Sequence, residues 1–197
     1  VDEILVTDPD HYRNLADLAR CMDSEVITAF GSDILHLAES EPPIDLTRKI
    51  SLQRTWFRPF WSLCKPSLTS RPIRWGHGFH YADTRTIFRN LFLFHLAYVD
   101  AGIIERRQRK RNAAQPVGKH GSHHAIPPEN MVRHIARDYA ALPKRRGVTL
   151  SPLCPAFAAF TSELFAGDHR GHGGRMISSG PHADELWALP ERFVGRF

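Results

Sequence analysis

Apolar positions recur at helical spacing along much of the chain. Tyr12, Leu15, Leu18 and Ala19 form one stripe after an extended start that ends at Thr7-Asp8-Pro9. Ile27, Phe30, Ile34 and Leu37 or Ala38 form a second, capped by Asp23 or Ser24 and ended by Glu41-Pro42-Pro43. Gly31 interrupts it. The spacing predicts an antiparallel helical hairpin within residues 1–41. The longest apolar segment predicts a helix over about 84–111, opened by Asp83. Ile87, Leu91, Phe94 and Tyr98 make one row, and Phe88, Phe92, Val99 and Ile103 the next. Apolar surface nearly all the way round marks a central, buried helix. Further helices are predicted from Pro128 to about residue 141, and from between Pro152 and Pro155 to Gly167, with a short helical turn within 182–189.

Between the first hairpin and the central helix the pattern changes. Pro42, Pro43, Pro59, Pro66 and Pro72 break any long element over 42–82. The same stretch carries Trp56, Phe57, Phe60, Trp61, Trp75, Phe79 and Tyr81, interleaved with Arg54, Arg58, Arg71 and Arg74. Large rings are costly to leave in water, so this arm lies on something, either the protein's own core or a neighbouring chain. Trp and Arg are the residues that anchor interfaces. The candidate partner-binding residues are therefore Trp56, Phe57, Arg58, Phe60, Trp61 and Trp75.

Composition adds limits. The 197 residues carry a net charge of +5, with 42% hydrophobic and 24% charged residues. That excludes a wholly disordered chain and a multi-span membrane protein. Arg outnumbers Lys 21 to 5. The basic residues gather in one run, Arg106, Arg107, Arg109, Lys110 and Arg111, at the end of the predicted central helix. Such a run suits phosphate or anionic lipid headgroups, or a solvated helix C-terminus where cations meet the helix dipole. Arg89, Asn90, His95 and Asp100 interrupt the apolar helix and argue against a membrane span. Cys21, Cys64 and Cys154 are isolated and odd in number, which fits neither a disulfide framework nor a thiolate zinc site. The chain opens on Val1, which suits a processed N-terminus.

Histidine is the remaining chemistry. His77 and His80 are three apart, as are His169 and His172, and His120, His123 and His124 cluster in a polar loop. Such spacings place two rings on one ion, yet no cysteine completes a set of four ligands. His123-His124-Ala125-Ile126-Pro127 resembles the start of the HNH nuclease motif. That resemblance implies a general-base histidine and a bound cation. The family's Asn and second His follow a hairpin, whereas Asn130 and His134 come early, inside a helical pattern. No phosphate-binding P-loop, dinucleotide fingerprint or nucleophile elbow occurs.

The pattern as a whole predicts an all-α fold, an irregular bundle of about five or six helices with long Pro- and aromatic-rich extended arms. Its expected parts are an N-terminal helical hairpin (1–41), an aromatic and Arg-rich arm (42–82), a central helical body (83–167) and an irregular tail (168–197). The tail is pinned only if Phe193 and Phe197 find a pocket. The expected function is that of a non-catalytic accessory subunit of a large assembly, with no cofactor. Arg richness and the apolar helix ending in cations suggest the mitochondrial inner membrane, in an ATP synthase or respiratory-chain complex. Its partners would be other protein subunits and anionic lipid headgroups. The alternatives are an rRNA-binding mitochondrial ribosomal protein and a metal-dependent HNH-like nuclease.

Overall fold

The segment predicted as one long helix is a strand followed by a helix. Strand β6 spans Leu91–Tyr98 and helix α2 spans Ala101–Ala114. The computed structural model of the chain describes residues 2–23, 25–60, 63–75, 82, 84, 86–114, 126–166 and 184–197. In chain order its elements are β1 (Glu3–Thr7), α1 (Leu15–Arg20), β2 (Val26–Thr28), β3 (Phe30–Leu35), β4 (Trp56–Pro59), β5 (Pro66–Thr69), β6 and α2. They continue with α3 (Pro128–Arg133), β7 (Lys144–Arg145), α4 (Pro155–Ala166) and β8 (Leu186–Ala188). A π-helical turn, His134–Tyr139, prolongs α3.

Six strands form one mixed sheet in the order β1-β6-β3-β4-β8-β7, and β2 pairs with β5 in a second. Within the large sheet β3 runs parallel to β6 and β7 parallel to β8, and the other pairs are antiparallel. The expected all-α bundle is thus replaced by a mixed α/β fold. The physical reason lies in β3 and β6. Both are buried at consecutive positions over most of their length, and neither shows the alternation that betrays a half-exposed strand. All six residues of β3 are buried. In β6 the run Leu91-Phe92-Leu93-Phe94 is continuous and apolar, and such a run fits a buried helix equally well.

The predicted hairpin over 1–41 resolves into β1, the short α1, β2 and β3, and Gly31 is the residue that marks the difference. A β-carbon there would lie 2.2 Å from the backbone carbon of Leu63, so only glycine lets the two chains pass. The aromatic arm is likewise part of the sheet, through β4, and of the small sheet, through β5. The turn expected within 182–189 is β8 instead. The helices begun by Pro128 and Pro155 are present where the sequence places them.

One face of the sheet carries rings. Phe30, Ile34, Phe57, Phe92, Phe94 and Trp187 pack there with Phe157 of α4 and Phe193 of a 3₁₀ turn, Glu191–Phe193. Ring centroids lie 5.0 Å apart for Phe30 and Phe157, 5.0 Å for Phe92 and Phe193, and 4.5 Å for Phe94 and Phe197. The tail from Phe193 to Phe197 is pinned by these contacts. On the other face, Leu18 of α1 packs with Leu91 and Leu93, and Tyr139, Ala140 and Leu142 pack around Leu35, Leu37 and Leu186. Between those two apolar patches the face is polar.

Candidate functional site

Residues paired in register on neighbouring strands share a face of the sheet. Glu3 of β1 is opposite His95 of β6, His95 is opposite Asp33 of β3, and Asp33 is opposite Arg58 of β4. Four ionisable side chains therefore stand in one row across four adjacent strands. Asp33 is 0% exposed. A buried carboxylate needs partners for both oxygens, and it has them. His95 Nδ1 lies 2.7 Å from Oδ1, and Arg58 donates from Nη2 to Oδ2 at 3.2 Å.

A carboxylate only accepts, so the proton in the first of these bonds belongs to His95 Nδ1. The bond fixes the ring's tautomer and turns Nε2 away from the sheet interior. The His95 side chain is 15% exposed, and Nε2 lies 3.6 Å from Oδ2 of Asp2. Asp2 is half exposed and forms an ion pair at 2.6 Å with Arg107 of α2. Lys65 donates to Glu3 Oε1 at 2.7 Å. Two tyrosines close the row on the far side. Tyr98 stands edge-on to His95 with centroids 6.2 Å apart, and Tyr139 stands edge-on to Tyr98 at 6.0 Å. Burial, reinforced by the negative charge of Asp33, pushes the Tyr98 phenol up to about 12. Burial also raises Tyr139, against the pull of the Arg58 cation. Both phenols therefore stay protonated at neutral pH.

The junction of β6 and α2 fixes the geometry. Asp100 caps α2, accepting from Ile103 N–H at 3.0 Å through Oδ1, while Oδ2 accepts from Ile44 N–H at 3.0 Å. Arg54 is wholly buried beside this cap. It donates from Nε to the Val99 carbonyl at 2.7 Å and from Nη2 to the Pro42 carbonyl at 2.9 Å, with Glu41 and Asp100 at 3.7 and 3.8 Å. Burial lowers the Arg54 pKa, and the two carboxylates oppose that shift. His36 completes the junction by accepting the Ala101 N–H through Nδ1 at 3.1 Å. These contacts hold the start of α2 in place, and Arg107 comes back along the helix to Asp2.

The residues singled out in the sequence are placed as follows. Arg58 is in the row, and its guanidinium lies over the ring of Phe60 at 4.6 Å. Phe57 is fully buried on the opposite, aromatic face. Trp56 is half-buried under the Arg146 guanidinium at 5.0 Å, and Trp75 is 38% exposed. Trp61 lies outside the described residues. Of the basic run, Arg107 reaches the site, Arg109 pairs with Glu105 at 2.6 Å, Arg106 and Lys110 are exposed, and Arg111 is half-buried. His77, His80, His120, His123, His124, His169 and His172 lie outside the described residues. Among the described residues no group of three or more His, Cys, Asp or Glu is placed to hold a metal ion. None of the described helices is long and apolar enough to cross a membrane.

The sequence pattern assigns no role to Asp33 or Asp2 and marks His95 only as an interruption of an apolar helix. A signal was present. Asp33 is the one acid of β3 and His95 the one imidazole of β6, strands that are buried over most of their length, and an ionisable group there has to find a partner. Comparison with protein-family models, with curated proteins and with solved structures finds no match.

Proposed function

We propose that the polar row is an acid–base site, with His95 as the group that moves the proton. One observation carries the reading: the 2.7 Å contact of His95 Nδ1 with a fully buried Asp33 that is itself paired with Arg58. That arrangement orients an imidazole with Nε2 outward, as a general base or acid requires. Asp2, ion-paired with Arg107, stands beside Nε2 at the exposed end of the row. The supported reaction class is proton transfer to or from a hydroxyl or a water during hydrolysis or group transfer.

Turnover of p-nitrophenyl phosphate, acetate and glycosides tests the reading. His95→Gln and Asp33→Asn should each lower any such activity by a factor of 10² or more, on the scale that positioned acid–base groups contribute. Diethylpyrocarbonate should modify His95 Nε2 in the native protein. Full turnover in His95→Gln, or a His95 ring that resists modification, removes the basis of the proposal.

A second reading, an accessory subunit within a protein assembly, is favoured by a different observation. Leu46, Leu52 and Leu153 are 74%, 51% and 92% exposed. A partner surface would cover them.

A further inference from the structure

The row contains one contact that proton transfer by His95 does not itself explain. The Arg58 guanidinium, on a side chain 13% exposed, has an aromatic ring against it on two counts, Phe60 at 4.6 Å and Tyr139 at 4.5 Å from the ring centroids. Phe60 directly follows β4 and comes with the strand. Tyr139 is different. It is the last residue of the π-helical turn His134–Tyr139, and it reaches the row from a separate element. π turns are rare and cluster at functional sites. This one delivers a ring to the guanidinium that donates to Asp33.

We propose that Tyr139 is a positioning residue, whose ring holds Arg58 on Asp33 and thereby fixes the Asp33–His95 hydrogen bond. The proposal rests on the acid–base reading for its purpose but not for its geometry. The linkage runs in one line: the ring over the guanidinium, Nη2 to Asp33 Oδ2 at 3.2 Å, and Oδ1 to His95 Nδ1 at 2.7 Å. Arg58 is a long side chain with several rotamers to lose, and a ring packed on its flat face removes most of them. Without the ring the guanidinium regains its freedom, Oδ2 loses its fixed donor, and the carboxylate is free to turn away from the imidazole. Phe60 alone covers one contact and leaves that rotation open.

The test is the exchange of the His95 Hδ1 proton with water, followed by NMR on protein labelled with ¹⁵N-histidine and ¹⁵N-tryptophan, with His95→Gln and Trp187→Phe to assign the two signals. The indole N–H of Trp187, buried and bonded to Glu185 at 3.0 Å, serves as the control for overall stability. Tyr139→Ala should speed Hδ1 exchange at least tenfold while the Trp187 signal stays within twofold. Tyr139→Phe, which keeps the ring, should stay within about twofold of wild type. Tyr139→Leu, which fills more of the space than alanine, should behave like Tyr139→Ala and provides the same comparison if alanine prevents folding. Unchanged exchange in Tyr139→Ala or Tyr139→Leu overturns the proposal, and so does equal acceleration in Tyr139→Phe, which would assign the effect to the hydroxyl. This readout needs no substrate. Failure of the p-nitrophenyl assays with a tyrosine-dependent Hδ1 signal would sink the acid–base reading alone.

Discussion

Gly31 and the three cysteines show how far single residues are constrained. A methyl group at position 31 would fall within 2.4 Å of the Leu63 backbone carbon, β-carbon and carbonyl oxygen. Backbone cannot yield as a flexible side chain does, so Gly31→Ala should destabilise the protein by about 1–3 kcal/mol or more, visible as a lowered urea midpoint. A wild-type midpoint would mean that the strand and the Leu63 segment do not pass this closely. The thiols should separate by environment. Burial pushes Cys64 up to about 12, against a hydrogen bond from Gly31 N–H. At Cys154 burial is outweighed by N–H groups of Phe157, Thr149 and Ala156, so its pKa falls below the usual thiol value. Cys21 is exposed. Iodoacetamide at neutral pH should therefore label Cys154 and Cys21 in the native protein and Cys64 only after unfolding. Labelling of native Cys64 at a comparable rate would contradict the burial on which the strand packing rests.

At the scale of elements, the boundary between β6 and α2 is the instructive case. Asp100 looked like an interruption in a long helix because a polar residue breaks an apolar stripe. It is in fact the residue that starts the helix. Replacing it by alanine removes the side-chain acceptor for Ile103 and Ile44 and should cost about 1–2 kcal/mol. Its titration has a sign. Burial works against the carboxylate, but N–H groups of Ile44, Ile103 and Gly102 and the nearby His36 outweigh it, so the folded pKa lies below 3.8. The folded state thus binds this proton less readily than the unfolded chain. The stabilisation is present above 3.8 and is lost as pH falls through the folded value. Asp100→Asn should lose stability at neutral pH and differ least from wild type in strong acid, as urea melts across that range would show. A mutant deficit that grows with acidity would reverse the assignment. The helices opened by Pro128 and Pro155 were legible for the opposite reason. Proline at a helix start is a local signal that tertiary context does not have to supply.

For the molecule as a whole, the aromatic arm carries the lesson. The sequence holds more ring surface over 42–82 than an isolated strip can hide, which predicts cover by the protein's own core or by a neighbouring chain. The sheet changes the balance. Phe57 goes into the core between Phe94 and Trp187, with centroids 6.3 and 6.1 Å away, and Arg58 goes to the opposite face. Among the described residues, what stays outside includes Trp75, Leu46 and Leu52 of the arm itself, and Leu153. If the chain is a subunit of a larger assembly, Leu46→Glu with Leu52→Glu should abolish native co-purification of stoichiometric partners while circular dichroism is unchanged. Retention of partners by that double variant would remove these leucines from any interface.

The sequence by itself determined the local features: where prolines open helices, that His95 interrupts an apolar run, and that the rings over 42–82 outnumber what one strip can bury. Only the tertiary structure decided that those runs are strands and that Asp33, His95 and Arg58 meet. The reason is the spacing of the contacts. Asp33 and His95 are 62 residues apart and Asp33 and Arg58 are 25 apart. Their meeting depends on strand order and register, and a buried strand covered on both faces leaves neither in its own pattern of apolar and polar positions.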